Sequence, residues 1–359
     1  MTTKRPPRSS FRRIVDLGRY VTRPTTPIRT LLAAFNDLPH AFQIVANDSG
    51  APIGTLTDGD IRRGILAGAT LDDPVSRCMV TRPVIGRLGE EERHVGMLKS
   101  LVFIPLVDQN GKLRQIMVRS DVEPGLTTAL LMAGGLGTRL GERTRDIPKP
   151  LLPVGGKPII EHILTALEEA GVGRIIVSVH HLAHKIEAYL DSRKSGCQIE
   201  ILKEPERLGT AGALGLLAER LSEPVLVLNA DVVTSVNIAA MSEFFARNSH
   251  DATIAVAQHK VRIPFGVVKH DGDGLFDGVD EKPELSHFVT AGIYLLSPEF
   301  AALVSRGEAV DMPELLNRGR ALGLRIGLFP IHEYWTDVGT PDALDAADSH
   351  LANFSNGKT

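Results

Sequence analysis

A short, mostly apolar run, TALLMA (128–133), empties straight into glycines at 134, 135 and 137. A run of that length without polar alternation reads as a strand buried on both faces. The glycines let the chain turn tightly and let backbone N–H groups approach an anion with no Cβ in the way. Beyond this loop the chain keeps one rhythm. PIIEHILTALEEAG (158–171) puts Ile159, Ile160, Ile163, Leu164 and Leu167 on one helical face and stops at Gly171. Next come a strand (RIIVSVHH), a helix (AHKIEAYLDS), a strand (QIEILKE), a helix (GALGLLAERL) and a strand (PVLVLNAD). Such alternation with short connections predicts an α/β fold, a parallel sheet covered on both faces by helices. The later strands ATIAVAQH, FGVVKHD and HFVTAGIYLL crowd together and predict an antiparallel excursion. RIGLFPIHEYWTDVGT predicts a closing strand pair before a short helix, PDALDAADSHLANF.

Length and charge set outer bounds. A chain of 359 residues has room for two domains at about 150 residues each. The 40 Lys+Arg nearly balance 43 Asp+Glu, for a net charge of −3, so no general electrostatic pull toward nucleic acid is expected. No apolar run approaches the ~18 residues of a membrane helix. The basic start MTTKRPPRSSFRR lacks the apolar core of a secretion signal. The two cysteines, Cys78 and Cys197, form neither a disulfide framework nor a metal cluster. The expectation is a cytoplasmic protein with free thiols and no membrane partner.

Upstream of the alternating region the chain repeats itself. IVANDSGAPIGTLTDGDI (44–61) aligns with PLVDQNGKLRQIMVRSDV (105–122) at an offset of 61 (105 − 44), matching Gly50 to Gly111 and Asp60 to Asp121. VTRP occurs at both 21–24 and 80–83. Each copy reads as strand, glycine turn, strand, then an acidic residue opening a helix or linker. Two copies of one small α/β unit packed as a pair are expected. The expected boundaries are a tail and lead-in at 1–25, the pair at 26–121 (about 26–70 and 71–121), a linker at 122–127, a larger domain at 128–350 and a tail at 351–359.

The most informative stretch is MAGGLGTRLGERTRDIPKPLLPVGGKPIIEHIL (132–164). Arg139 comes directly after the glycines and Lys149 ten residues later. Backbone donors plus two cations make a polyphosphate cradle. A Walker A loop is excluded, because Gly156-Lys157 is followed by Pro158. A dinucleotide fingerprint is excluded too, because Gly135, Gly137 and Gly141 are spaced one residue too long.

Taken whole, Gly134–Leu140 (GGLGTRL) and Pro148–Pro158 (PKPLLPVGGKP) resemble the signature of the sugar-phosphate nucleotidyltransferase family, and the resemblance covers about 128–350. It implies a Rossmann-like, glycosyltransferase-A-type domain with a mixed, mainly parallel sheet. It implies nucleotide contacts at Ala133, Gly134, Gly135, Gly137, Thr138 and Arg139, and contacts near the base at Gly209, Thr210, Ala211 and Gly212 in LGTAGAL (208–214). VLNAD (227–231) ends in Asp231, which matches a magnesium ligand of the family, although Ala230 replaces the usual glycine. WTDVGTP (335–341) matches the segment holding the second carboxylate, Asp337. FGVV (265–268), EKP (281–283) and TAGIYLL (290–296) match sugar-binding segments and imply sugar contacts at Gly266, Glu281, Lys282 and Gly292, the two glycines letting the ring lie close to backbone.

The implied reaction joins a sugar-1-phosphate to the α-phosphate of a nucleoside triphosphate and expels pyrophosphate. Two polyanions must be held in line while charge spreads in the transition state. Carboxylate ligands suit Mg²⁺, and ligands of an open parallel sheet gather beyond the carboxyl ends of its strands. Arg139 would hold the triphosphate, Lys149 the phosphates around the reacting phosphorus, Lys282 the sugar phosphate and Glu281 the sugar hydroxyls. No general base or covalent intermediate is required, since the attacking phosphate oxygen is already ionised. Plainer readings stand beside these. Asp231 could cap the next helix, Asp337 could be a turn residue, and Glu281–Lys282 could be a solvated pair worth ~0–1 kcal/mol. Trp335 could simply pack, and His180 and His181 could line a pocket or serve structure. LGTAGAL resembles the segment of mannose- and heptose-phosphate guanylyltransferases, which favours GTP. A UTP- or dTTP-using enzyme and a catalytically silent nucleotide sensor are the alternatives. A glycosyltransferase of the same fold would need D-x-D, which Asp231-Val232-Val233 does not supply.

In the repeat, GTLTDGDIRR (54–63) resembles the CBS (cystathionine-β-synthase-type) domain family. That resemblance implies a tandem CBS pair in which Thr57 and Asp60 contact the ribose of an adenine nucleotide. The second copy keeps Asp121 but has Val118 in place of the Thr, and a ligand-free dimerisation module is the other reading. CBS pairs commonly associate, so a homo-oligomer is expected. The combination resembles bacterial enzymes that make GDP-glucosamine for legionaminic acid, or GDP-sugars for surface glycans.

Overall fold

The structure, a computed structural model, describes residues 11–36, 38, 40–99, 101–119 and 126–355. Asp121 of the expected pair and Pro124 and Gly125 of the expected linker lie outside the described residues. The chain divides into two units, one ending at Glu123 and the other beginning at Pro124.

The first unit contains β1 (Phe11–Ile14), β2 (Val21–Thr22), α1 (Ile28–Asn36), β3 (Phe42–Ala46), β4 (Pro52–Thr57), α2 (Asp58–Leu66), β5 (Gly86–Arg87), α3 (Glu91–Val95), β6 (Phe103–Val107) and β7 (Leu113–Arg119). They form sheets of order β2-β3-β4 and β1-β7-β6-β5. The internal repeat is legible bond for bond. In the first turn Asn47 Oδ1 accepts the N–H groups of Ser49 and Ala51, and in the second Asp108 Oδ1 accepts those of Asn110 and Lys112. These are side-chain-built turns. Gly50 and Gly111 close them at φ +80° and +75°. The bulge falls at Val45/Ala46 in one hairpin and at Leu106/Val107 in the other. The repeat does not extend to VTRP. Val21–Thr22 is β2, whereas Val80 makes only an isolated bridge to Thr55. The lead-in expected over 1–25 carries two strands: β1 pairs antiparallel with β7 and β2 parallel with β3.

The second unit contains β8 (Thr128–Met132), β9 (Pro153–Val154), β10 (Lys157–Pro158), α4 (Ile159–Glu169), β11 (Arg174–Val179), α5 (Ala183–Ser192), β12 (Gln198–Lys203), β13 (Val225–Asn229), β14 (Val232–Thr234), α6 (Ile238–Asn248), β15 (Ala252–Arg262), β16 (Gly266–His270), β17 (Phe276–Glu281), β18 (Glu284–Leu296), α7 (Pro298–Ala301), α8 (Met312–Ala321), β19 (Ile326–Ile331), β20 (Trp335–Asp337) and α9 (Pro341–Ser355). The central sheet has the order β12-β11-β8-β13-β18-β15-β19, and only β18 runs against the rest. Its inner strands β8, β11 and β13 are buried on both faces by alternation. Ala129, Leu131, Ile175, Val177, Leu226 and Leu228 face one core, while Leu130, Ile176, Val225 and Val227 face the other. The five apolar residues of α4 join the first of these cores. Each such side chain contributes roughly 1.5–3 kcal/mol on burial. The chain runs outward from β8 to β12, then returns to β13 on β8's other side. The crevice between β8 and β13 is therefore the topological switch point.

Two local expectations are corrected. GALGLLAERL is not an α-helix but two 3₁₀ turns, Gly212–Leu216 and Ala218–Arg220. Gly212 and Gly215 each cost an α-helix about 1 kcal/mol, and both lie against the backbone of Ser305–Glu308. β19 and β20 do not pair with each other; β19 joins β15 and β20 joins β14. The last helix, expected over 341–354, is present and runs to Ser355.

Candidate active site

The loop after β8 reaches the switch point with its donors free. Ala133 donates its N–H to Ser178 O at 2.8 Å. Among the described residues, no backbone acceptor takes the N–H groups of Gly134, Gly135, Leu136 or Gly137. Thr144 Oγ1 donates to the carbonyls of Gly137 (2.9 Å) and Gly141 (3.2 Å) and so fixes the loop's return. Gly135, Thr138 and Arg139 are exposed there, Ala133 is buried, and Gly134 and Gly137 are half-buried.

Beneath Gly137 sits Lys149, held in a 3₁₀ turn whose Leu152 N–H returns to Lys149 O. The lysine is 8% exposed. Its Nζ lies 2.5 Å from Asp231 Oδ2 and 3.6 Å from Asp337 Oδ1. The two carboxylates meet because β14 and β20 pair antiparallel, with Val232 opposite Asp337 and Val338 N–H donating to Asp231 O. Arg139 completes the group, its guanidinium lying against Gly339, two residues beyond Asp337. Burial, and then the Asp231 carboxylate beside it, push Asp337 above the usual carboxylate range, while Lys149 and Arg139 pull it back. The helix-cap reading of Asp231 fails, because α6 is capped by Asn237, whose side chain accepts the Ala240 N–H. Asp231 Oδ1 is buried with no hydrogen-bond partner among the described residues. A buried, unsatisfied carboxylate oxygen is costly, and a cation at this point would satisfy it. Two carboxylates beside a glycine loop fit a divalent ion that takes its remaining ligands from substrate oxygens and water. No cluster of three or more His, Cys, Asp or Glu exists among the described residues, so the protein does not enclose the ion by itself.

The remaining expected site residues fall into two places. Gly266, Glu281 and Lys282 stand together on the largely exposed β16–β17 hairpin, where Gly266 is opposite Glu281. No hydrogen bond or ion pair ties them to the lysine cluster among the described residues. Gly292, at φ +72°, lies against Asn229 at the end of β13, close to the carboxylates. The base segment is closed in by its own protein. Thr210 donates through its N–H (2.9 Å) and Oγ1 (3.1 Å) to Asp311 Oδ1 and accepts Met312 N–H. A Cβ on Gly209 would stand 2.7 Å from Val310 O, and one on Gly212 2.6 Å from Glu308 O, while Ala211 is fully buried. Trp335 packs, donating Nε1–H to Ala291 O at 2.8 Å. In the first unit, Thr57 and Asp60 form a capping box at the start of α2, and Asp60 also pairs with Arg63. The cleft of about 440 Å³ in that unit lies at the other end of β3, lined by Thr22, Arg23, Asn47 and Lys112.

Glu204 is a site residue that the sequence does not announce. It is buried beneath Gly134, accepts Ser178 Oγ–H at 2.6 Å and Leu208 N–H at 3.1 Å, and so ties the floor of the glycine loop to the segment after β12. A lone Glu-Pro carries no pattern that would mark it.

Comparison with known proteins agrees with this geometry. The family model described as "Nucleotidyl transferase" matches residues 128–353. The catalytic subunit beta of mannose-1-phosphate guanylyltransferase from Drosophila melanogaster is 33% identical over 226 residues, 60% of either chain. The mannose-1-phosphate guanyltransferase of Yarrowia lipolytica is 34% identical over 241 residues, 63% of this chain and 64% of its own. This chain thus spans about 60% of the length of the curated relatives it matches. The crystal structure of HddC from Yersinia pseudotuberculosis shares the fold, with TM-score 0.50 and 23% identity over 63% of this chain and all of that one. The same protein has been solved complexed with GMP-PN. Family model, relatives and fold converge on the unit that holds Lys149 and its two carboxylates: the chain belongs to the nucleotidyl transferase family.

Proposed function

We propose that this chain transfers a nucleotidyl group, GMP from GTP, to a sugar-1-phosphate, giving a nucleoside-diphosphate sugar and pyrophosphate. The observation that carries the reading is the convergence of Lys149, Asp231, Asp337 and Arg139 beside a loop with free N–H groups, at the switch point of a parallel sheet. The preference for GTP rests on the guanylyltransferase relatives and on LGTAGAL. A nonulosonate or surface-glycan destination for the product rests on resemblance in sequence alone. In the first unit, Thr57 and Asp60 are already engaged as a helix cap, which favours a ligand-free module over an adenine-nucleotide site.

The loop's N–H groups and Arg139 bind and orient the triphosphate, with Arg139 offering a planar fork to the leaving pyrophosphate. Asp231 and Asp337 would hold a divalent cation, which supplies charge neutralisation at the α-phosphate when bound. Lys149 gives a second positive charge to the same phosphates, while on the hairpin Lys282 would pair with the sugar phosphate and Glu281 would accept hydrogen bonds from the sugar hydroxyls. No proton need be moved, because the nucleophile is an ionised phosphate oxygen.

The test is pyrophosphate release with Mg²⁺, offering ATP, GTP, CTP, UTP and dTTP against mannose-, glucose-, glucosamine- and N-acetylglucosamine-1-phosphate. Release with GTP and one sugar is expected. Release only with UTP or dTTP would overturn the base assignment, and no release with any pair would sink the reading. Asp231→Asn should lower turnover at least about a hundredfold and leave the melting temperature near wild type.

A further inference from the structure

Lys149 occupies the ground that a divalent cation would need. Its ammonium sits 2.5 Å from one carboxylate and 3.6 Å from the other, and the side chain is only 9% exposed. Two carboxylates held together around one ammonium in a partly buried site repel each other, and the lysine between them relieves that repulsion. It is an internal counter-ion. A dication arriving between the same carboxylates would face the lysine's positive charge at contact distance, a strongly unfavourable juxtaposition away from bulk water. The protein also offers few ligands of its own, since no third His, Cys, Asp or Glu joins the pair among the described residues.

We propose that Lys149 closes the carboxylate pair to free metal in the resting chain, so that divalent cation enters only with a polyphosphate that draws the lysine away. The inference rests on the metal-ligand assignment above and adds an order of events. The phosphates supply what the protein lacks, namely the remaining oxygen ligands for the ion and a new anionic partner for Nζ. One displacement then serves both ends. Asp231 and Asp337 are freed for the ion as Lys149 moves onto the phosphates, so metal and nucleotide bind as a single complex. Asp231 Oδ1, buried and without a partner among the described residues, is the oxygen left waiting by this arrangement.

The test is Mn²⁺ binding to the full chain in the absence of nucleotide, read from the free-Mn²⁺ electron paramagnetic resonance signal. Wild type is expected to bind weakly. Lys149→Met, which keeps the bulk of the stem and removes the charge, should bind one Mn²⁺ at least about tenfold more tightly, and the gain should vanish in Lys149→Met/Asp231→Asn. Tight stoichiometric binding by wild type would overturn the proposal by itself, whether or not any variant folds. Equal, Asp231-dependent weak binding by wild type and Lys149→Met would also overturn it, while leaving the nucleotidyltransferase reading intact. Tight binding that survives Asp231→Asn would instead strike the metal assignment on which both rest. Lys149→Gln is the second variant, and melting curves show that each protein compared is folded.

Discussion

Gly135 is the glycine in the candidate site that the protein's own packing does not explain. It has no left-handed backbone, and a Cβ built on it would meet nothing within 4 Å. Gly209 is the opposite case, at φ +78° with Val310 O 2.7 Å from its missing Cβ. The two make opposite predictions. Gly135→Ala should change stability by less than about 0.5 kcal/mol yet weaken nucleotide binding about tenfold or more, because the new methyl stands where phosphate oxygens approach backbone N–H. Gly209→Ala should lower stability by about 1–3 kcal/mol. Thermal melts and a nucleotide titration on both variants decide the matter; unimpaired binding by Gly135→Ala would mean the loop is not the cradle. This contrast also explains why one glycine string is more legible in the sequence than the other. Around Gly134–Lys149 the spacing of glycines and cations carries chemistry. In LGTAGAL the same residue type serves close approach of the chain to itself, and only the position of Val310, about a hundred residues away in sequence, reveals it.

At the level of elements, α4 is joined to α5 and to the segment between α5 and β12 by a clamp that no local pattern announces. Arg193, just past α5, donates to Glu161 and Glu168 on α4, with contacts of 2.7–3.1 Å. Tyr189 donates to Glu161 as well, and Ser195 and the Gly196 N–H donate to Glu168. Arg193 hydrogen bonds hold Glu168 down at about 2 against an ordinary value of 4.5, and burial with the Glu161 contact pushes Tyr189 up to about 12. Because the folded carboxylate is more acidic than the unfolded one, its contribution is fully present above about pH 4.5 and is lost as pH falls toward 2. Urea midpoints of wild type should therefore drop across that window, and Arg193→Met should flatten the drop. The same variant should lose about 3–5 kcal/mol at neutral pH, since it strands two carboxylates. An Arg193→Met protein with wild-type stability and pH slope would refute the clamp. The pieces lie at 161, 168 and 193, on elements whose existence the sequence predicts accurately. Their mutual contact depends on which helix packs beside which strand, and hydrophobic periodicity does not encode that.

Over the whole molecule, periodicity reports the order of elements in the second unit but not their neighbours. β18 is legible as a strand; that it lies between β13 and β15, antiparallel to both, is a non-local pairing. The two-unit division is legible from the change of rhythm near residue 128, and it has an energetic counterpart. The two cores of the second unit draw all their buried residues from Leu126 onward, and those of the first unit from residues up to Val118. The seven-stranded sheet and the Lys149 cluster are likewise built wholly from the second unit. A unit with its own core and its own complete sheet meets the physical conditions for folding alone. A chain of residues 124–359 should therefore melt cooperatively and release pyrophosphate within about twofold of the full-length rate, with the same choice of nucleoside triphosphate. If that fragment melts cooperatively but fails to turn over, the first unit supplies something the chemistry requires, and the assignment of the reaction to Arg139, Lys149, Asp231 and Asp337 alone is incomplete.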